Sequence, residues 1–391
     1  MTAPATRLVP PFRADVVGSY LRPDYLHAAR RRFAAGEIDA AALEAVEDRA
    51  ITDLVARQKA AGLQAITDGE FRRSWWHLDF MWGLQGVEKA QLEHGYRFAD
   101  METRPETARL TGKLGGADHP FLAHFQFIQG LADASVLPRL TVPAPAQFFK
   151  ELHRPENLAA TEAIYPSREA LIEDIAAAYR TFIAELYALG CRSLQFDDCT
   201  WGMMVDPRYS NAGIAAANSD GSCCEHGPAT VISDSVEALA NELLEVNNRA
   251  LAGAPADLAI TTHVCRGNYR STWAAQGGYD PIAPFLFARE NVSAYYLEFD
   301  TDRAGDFSPL AQVSGDKKVV LGLVSSKVGE LEDREAVVAR IREASRYLPL
   351  ERLCLSTQCG FASTEEGNAL TEEQQWAKIR LIGEVAREVW G

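Results

Sequence analysis

No apolar run in the sequence approaches the ~20 residues that a membrane-spanning helix requires. The N-terminus, MTAPATRLVPPFRADVV, also lacks a basic start followed by a signal peptide's apolar core. These two absences give the expectation of a cytoplasmic protein with no membrane partner. Basic residues are scarce relative to acidic ones, with 39 Lys and Arg against 54 Asp and Glu and a formal charge of −15. Such a field repels phosphate, so neither nucleic acid nor an anionic lipid surface is expected as a partner. The seven cysteines, at 191, 199, 223, 224, 265, 354 and 359, are odd in number and irregularly spaced. With no secretory signal they do not read as a disulfide framework, which leaves metal binding, catalysis or burial to account for them. There is no internal repeat and no low-complexity linker, and no GxGxxG follows the first apolar run. The last absence argues against an open dinucleotide-binding sheet.

What is present is an alternation. Amphipathic helical patterns at 41–62, 168–189, 235–252, near 281–288, 333–348 and 371–390 alternate with short apolar runs. The runs are RADVV, LQAIT, PRLTV, RSLQF, DLAITTH, SAYYLEF, KKVVLGLV and RLCLS. Repeated strand and helix units predict an α/β fold, a (β/α)8 TIM barrel forming a single domain across 1–391. The stretch 72–135 is too long for an ordinary loop and is expected to be an insertion with structure of its own.

In such a barrel the chemistry sits beyond the C-terminal ends of the strands. Polar residues recur at that place after run upon run: Gly18 and Ser19, Asp68 and Glu70, Asp197 and Asp198, His263 and Cys265, Glu298, Ser325 and Lys327, Cys359. The segment TTHVCRGNYR is the most pointed of these, because it sets an imidazole and a thiol two residues apart. Taken alone, His263 and Cys265 read more readily as core residues. With Cys359 in STQCGFAS, and Glu298 in YYLEFD as a possible oxygen ligand, they become a set suited to Zn2+. A zinc ion held by thiolates keeps a substrate thiol ionised near neutral pH, which suits alkyl transfer to sulfur.

These residues resemble the catalytic C-terminal barrel of the cobalamin-independent methionine synthases. The motifs GSY (18–20), ITDGE (66–70), LQFDD (194–198), THVC (262–265), LEFD (297–300) and STQCGF (356–361) occur in that family's order. The closest likeness is to a short, single-barrel subgroup carrying CRGNYRSTW, LGLVSSK and QWAKIRL. The resemblance implies His263, Cys265, Glu298 and Cys359 as zinc ligands. It implies homocysteine as the acceptor thiol, its ammonium held by Glu70 and Asp197 and its carboxylate near Ser19. It also implies a methyl donor, either methyltetrahydrofolate or another methyl carrier such as a carrier protein. The chain departs from the family in three ways. It shows no second, N-terminal barrel for the folate tail. Ser325 replaces a proton-donating histidine, with Lys327 nearby as its substitute. Asp197, Asp198 and Cys199 stand where the family has aspartate, glutamate and proline.

Competing readings concern the same residues. Epoxyalkane:coenzyme M transferases use such a site on a thiol sulfonate, although Glu70 and Asp197 favour an ammonium. A non-catalytic zinc or thiol-binding protein is the third reading. RRSWWHLDFMWGL (72–84) is either core packing or a lid over a flat donor, and His77 within it reads as structural. Arg30, Arg31 and Arg32 read as a solvated helix face and Cys191 and Cys354 as core, while Cys223 and Cys224 with His226 suggest a loop rather than a second metal site.

Overall fold

All of the apolar runs but RADVV contribute a buried strand in the computed structural model, which describes residues 8–206 and 235–391. In chain order the strands are β1 Ala65–Ile66, β2 Gln85–Gln91, β3 Glu106–Gly115, β4 Leu137–Pro138, β5 Leu140–Pro143 and β6 Ser193–Asp197. They continue with β7 Ala259–Val264, β8 Ala294–Glu298, β9 Lys318–Val324 and β10 Leu353–Thr357. β5 to β10 lie side by side in sequence order as one parallel sheet. β4 pairs in parallel with β1 and runs through Arg139 into β5. Residues 13–19 close the ring, Ala14 bridging Leu355 of β10 and Ser19 bridging Gly69 beyond β1. The architecture is the (β/α)8 barrel predicted from the pattern.

The strands are buried on both faces, as in β6 and β8, because helices cover the outside and side chains fill the inside. The helix Arg168–Ala188 shows how the cover forms. Ser167 caps its start by accepting a hydrogen bond from Ala170 N at 3.3 Å. Leu171, Ile175, Tyr179, Phe182 and Leu186 then make a buried stripe at helical spacing. The helix Glu372–Trp390 opens on a capping box between Thr371 and Gln374. Inside the barrel, the buried Arg139 guanidinium pairs with Asp15 at 2.8 Å, and the Tyr296 hydroxyl donates to the same carboxylate at 2.7 Å. Partners on this scale offset the cost of burying both charges.

Three elements are shorter than predicted, each for a local reason. The strand at 13–17 makes only one bridge, because the Asp15 carboxylate takes the N–H groups of Phe12 (3.1 Å) and Val16 (2.8 Å). LQAIT contributes only Ala65–Ile66, hemmed between Gly62 and Gly69, both at positive φ. The helix near 281–288 is reduced to Leu286–Arg289, since Pro281 and Pro284 cannot donate within a helix.

The stretch 72–135 does carry its own structure: a short helix Leu78–Gly83, the antiparallel hairpin β2–β3 and a helix Phe121–Gly130. Trp76 N donates to Ser363 O at 2.9 Å, tying this insertion to the loop after β10. Among the described residues no helix is long and apolar enough to cross a membrane.

Candidate metal centre

β7 ends at Val264, so His263 is its penultimate residue and Cys265 lies just past it, while Cys359 follows the end of β10 at Thr357. The potential ligand atoms of His263, Cys265 and Cys359 all lie within 4.8 Å of one another, and all three residues are buried. The His263 ring Nδ1 and the Tyr296 carbonyl oxygen are 3.1 Å apart, so Nδ1–H donates and Nε2 is left with a bare lone pair. That Nε2 is buried and has no hydrogen-bond partner. An unsatisfied buried nitrogen is costly, and an imidazole oriented by a carbonyl through its other nitrogen is the usual arrangement of a metal ligand. Two thiols and this imidazole therefore fit a metal of borderline softness.

Glu298, expected as the oxygen ligand, stands outside this trio. Arg303 Nη2 donates to its Oε1 at 2.7 Å, while Arg266 N (2.8 Å) and Gln358 Nε2 (3.2 Å) donate to Oε2. The carboxylate is thus held at the rim by neighbours that sequence spacing does not show. Burial works against its charge, but Lys327 and Arg266 outweigh burial and hold the group below its ordinary range.

Cys199 lies close to one member of the trio. Its Sγ lies 3.5 Å from Cys265 Sγ. It opens the short helix Cys199–Met204, whose cap Asp198 accepts from Thr200 N at 3.1 Å and from Asn247 Nδ2 at 2.9 Å. Asp198 N donates in turn to His263 O at 2.8 Å, which docks the helix on β7. Asp198 is therefore a positioning residue. Hydrogen bonding from Cys199 and then Cys359 pushes the Cys265 thiol well below its ordinary range, and the other two thiols are raised correspondingly. Burial alone would lower the His263 pKa, but the Cys265 sulfur outweighs it and raises the imidazole. Of the three thiols, Cys265 is the most readily ionised.

The residues proposed for an amino-acid substrate converge on the same mouth. Glu70 is buried in the left-handed region (φ 63°), a conformation that costs energy in a non-glycine residue and concentrates at functional sites. Asp68 holds that turn by accepting from Glu70 N at 2.9 Å. Thr141 Oγ1 donates to Glu70 Oε1 at 2.8 Å, whereas Oε2 is buried without a partner. Asp197 faces His263 across the β6–β7 register and accepts from Gln195 Nε2 at 2.8 Å. Burial pushes its carboxyl up to about 7, with Glu70 adding to the rise. Arg73 Nη1 pairs with Glu70 Oε1 at 3.4 Å and so offsets part of the repulsion between the two buried acids. Ser19 Oγ accepts from Ala362 N at 3.3 Å, placing the GSY turn against the loop that bears Cys359.

Lys327 and Ser325 sit just past β9. The Lys327 Nζ reaches Asn268 Oδ1 at 3.5 Å, and Ser325 Oγ accepts from Lys327 N at 3.3 Å. Asn268, in CRGNYR, also donates to Gly360 O at 2.8 Å, so one amide joins the Cys265 loop, the Cys359 loop and Lys327. Sequence reasoning assigned no role to Asn268, Arg303, Gln358 or the Cys199 sulfur. Only the presence of Asn268 within the same segment as Cys265 hinted at one of them.

The other candidates resolve as packing. His77 is buried, lies 3.1 Å from the Tyr96 hydroxyl and is driven down to about 3 by burial, with Arg154 adding to the effect. Trp75, Leu78, Phe80 and Met81 join the core, so the aromatic segment is chiefly structural, with Trp76 partly accessible. Arg31 and Arg32 are exposed, while Arg30 is held by Glu47 and Glu365. Cys191 and Cys354 are buried. Cys223, Cys224 and His226 lie outside the described residues.

No protein-family model matches the sequence. The chain is 44% identical over 382 residues to YxjH of Bacillus subtilis (strain 168), an uncharacterized protein, covering 97% of this chain and 95% of that one. A crystal structure of a putative vitamin-B12-independent methionine synthase from Listeria monocytogenes shares 35% identity and a TM-score of 0.73, covering 98% of this chain and 100% of that one. The 5-methyltetrahydropteroyltriglutamate–homocysteine methyltransferase of a Synechococcus strain is 23% identical over 356 residues, which is 90% of this chain but 40% of that protein's length. Fold and relatives together define a barrel methyltransferase. The chain belongs to the cobalamin-independent methionine synthase-like family.

Proposed function

We propose that the protein is a zinc-dependent methyltransferase that moves a methyl group onto the thiol of homocysteine to form methionine. The donor is methyltetrahydrofolate or another methyl carrier, and the whole chain, 1–391, acts as one barrel unit. The observation that carries this reading is the meeting of His263, Cys265 and Cys359 with the buried acid pair Glu70 and Asp197 at one barrel mouth. A bound zinc would supply a lowered thiol pKa, so that the acceptor is a thiolate near neutral pH. Glu70 and Asp197 hold the ammonium, and Ser19 and the adjacent backbone receive the carboxylate. The acceptor sulfur attacks the methyl carbon, forming the carbon–sulfur bond as the bond to the donor breaks. Lys327, with Ser325 fixing its backbone, supplies the proton taken up by the leaving donor. The names of the relatives point to the same reaction.

The test is thiol selectivity of the zinc-loaded protein, measured by calorimetry with L-homocysteine and with 2-mercaptoethanesulfonate. Binding of homocysteine alone is expected. Preference for the sulfonate would replace this reading with epoxide-type alkyl transfer, and indifference to both would make the metal structural.

A further inference from the structure

We propose that the protein carries a second ligand site, for a multiply charged oxyanion, on the face of the barrel opposite the metal centre. The site is a cleft of about 790 Å³ between the last turns of the helices Ala40–Ala60 and Glu372–Trp390 and the start of the first stave at Arg13. Gln64, immediately before β1, also lines it. The strands therefore begin at this cleft, whereas His263, Cys265 and Cys359 stand where strands end. In a barrel the starting face serves stability rather than chemistry, so the ligand assigned here is not a substrate.

The first observation is charge. Arg13, Arg57, Arg380 and Arg387 come from three separate segments and line one cleft, in a chain whose formal charge is −15. Of the four, only Arg57 has an acid partner, Glu372 at 2.5 Å. Arg387 Nε donates to Gly383 O at 3.1 Å within its own helix, and Arg13 Nη1 donates to Leu353 O. Arg380 is exposed and makes no ion pair or hydrogen bond among the described residues. Glu384 and the chain terminus at Gly391 are the acids of the lining itself. Even with Glu372 counted, four cations face three acids, a surplus that a bound anion offsets.

The second is preorganisation. The Arg13 guanidinium lies 5.4 Å from the Trp390 ring, and that of Arg57 lies 4.5 Å from the Trp376 ring. A guanidinium stacked on an indole is held flat while its in-plane N–H groups stay available for a two-pronged contact with phosphate or carboxylate oxygens. The third is space. Ala60, Ala61, Gly62, Gly383 and Ala386 leave the gap between the two helices almost free of side chains, and its volume suits a small organic ligand.

The segments that bear the arginines meet where the barrel closes, since Ala14 bridges Leu355. An anion shared among them holds the first stave to the last helix. The unfolded chain has no such cleft, so binding raises the stability of the closed barrel. Phosphorylated metabolites and polycarboxylates share the chemistry that the cleft recognises.

Calorimetry and thermal melting of the whole, metal-loaded chain test this at constant ionic strength, with fructose bisphosphate and tricarballylate as probes. One-site binding of at least one probe is expected, with a melting temperature that rises with its concentration. Arg380→Ala and Arg387→Ala, both exposed on the last helix, should each weaken that binding by about tenfold. Arg31→Ala, an exposed arginine outside the cleft, should leave it unchanged. Binding of the bisphosphate alone supports a phosphorylated ligand, and binding of tricarballylate alone a polycarboxylate. Absence of saturable binding by wild type, which needs no variant to fold, would overturn the proposal, as would equal weakening in Arg31→Ala.

Discussion

Gly202 and Cys265 touch backbone to backbone: a Cβ on Gly202 would lie 1.8 Å from the Cys265 carbonyl oxygen and 2.9 Å from its carbonyl carbon. The contact sets how the Cys199 helix lies on the loop that carries a metal-ligand candidate.

Gly202→Ala is therefore expected to push this helix and the Cys265 loop apart. Overpacking of this kind costs about 1–3 kcal/mol. Melting should fall modestly, while zinc affinity, measured by competition with a chromophoric chelator, should drop by about tenfold or more. Unchanged affinity would mean that the loop does not depend on the close approach.

The acid pair makes a separate prediction. Glu70→Gln and Asp197→Asn should each raise the KM for homocysteine by roughly 10- to 100-fold, the worth of a hydrogen bond to a charged group. Binding of 4-mercaptobutyrate, which has the thiol and carboxylate but no ammonium, should change little. Equal losses for both thiols would remove the ammonium assignment.

Stability at alkaline pH turns on Glu290. It is fully buried, accepts from Asn247 Nδ2 at 3.0 Å, and the same amide serves Asp198. Burial, with Asp198 adding to it, pushes its carboxyl up to about 8 from an ordinary 4.5. The folded protein keeps this proton where the unfolded chain has lost it, so the contribution to stability is complete below 4.5 and is lost as pH rises toward 8. Glu290→Gln should melt a few degrees higher than wild type at pH 8 and match it near pH 5. A melting difference independent of pH would refute the assignment.

On the acid side His119 acts in the opposite direction. Its Nε2–H donates to Phe80 O at 2.8 Å and its Nδ1 accepts from Phe121 N at 3.1 Å, so a second ring proton would face an N–H. Burial holds the imidazole down to about 4 against an ordinary 6.5. Its contribution is complete above 6.5 and shrinks as pH falls toward 4, by up to about 3 kcal/mol. Ring nitrogen chemical shifts should report a neutral imidazole at pH 5, and an imidazolium signature there would contradict the packing.

The barrel was legible because its strands are short apolar runs ending in polar residues, a pattern that burial on both faces imposes locally. His263, Cys265 and Cys359 were legible for the same reason, each being a soft ligand at a strand end. The status of Glu298 was not, because Arg303 and Gln358 reach it through tertiary contacts that no spacing encodes. The closeness of Cys199 to Cys265 escaped notice for a related reason. It stands 66 residues from Cys265, and only the docking of its helix brings the two sulfurs together. The shortened N-terminal stave reflects one side chain, Asp15, competing for the N–H groups of Phe12 and Val16.

The ring closes through residues far apart in the chain, Ala362 N reaching Ser19 Oγ across 343 positions. During synthesis His263 and Cys265 emerge while the ring is still open, and Cys359 can join them only once β10 has been made and has met residues 13–19. The three candidate ligands therefore come together only when the first and last staves of the barrel have met.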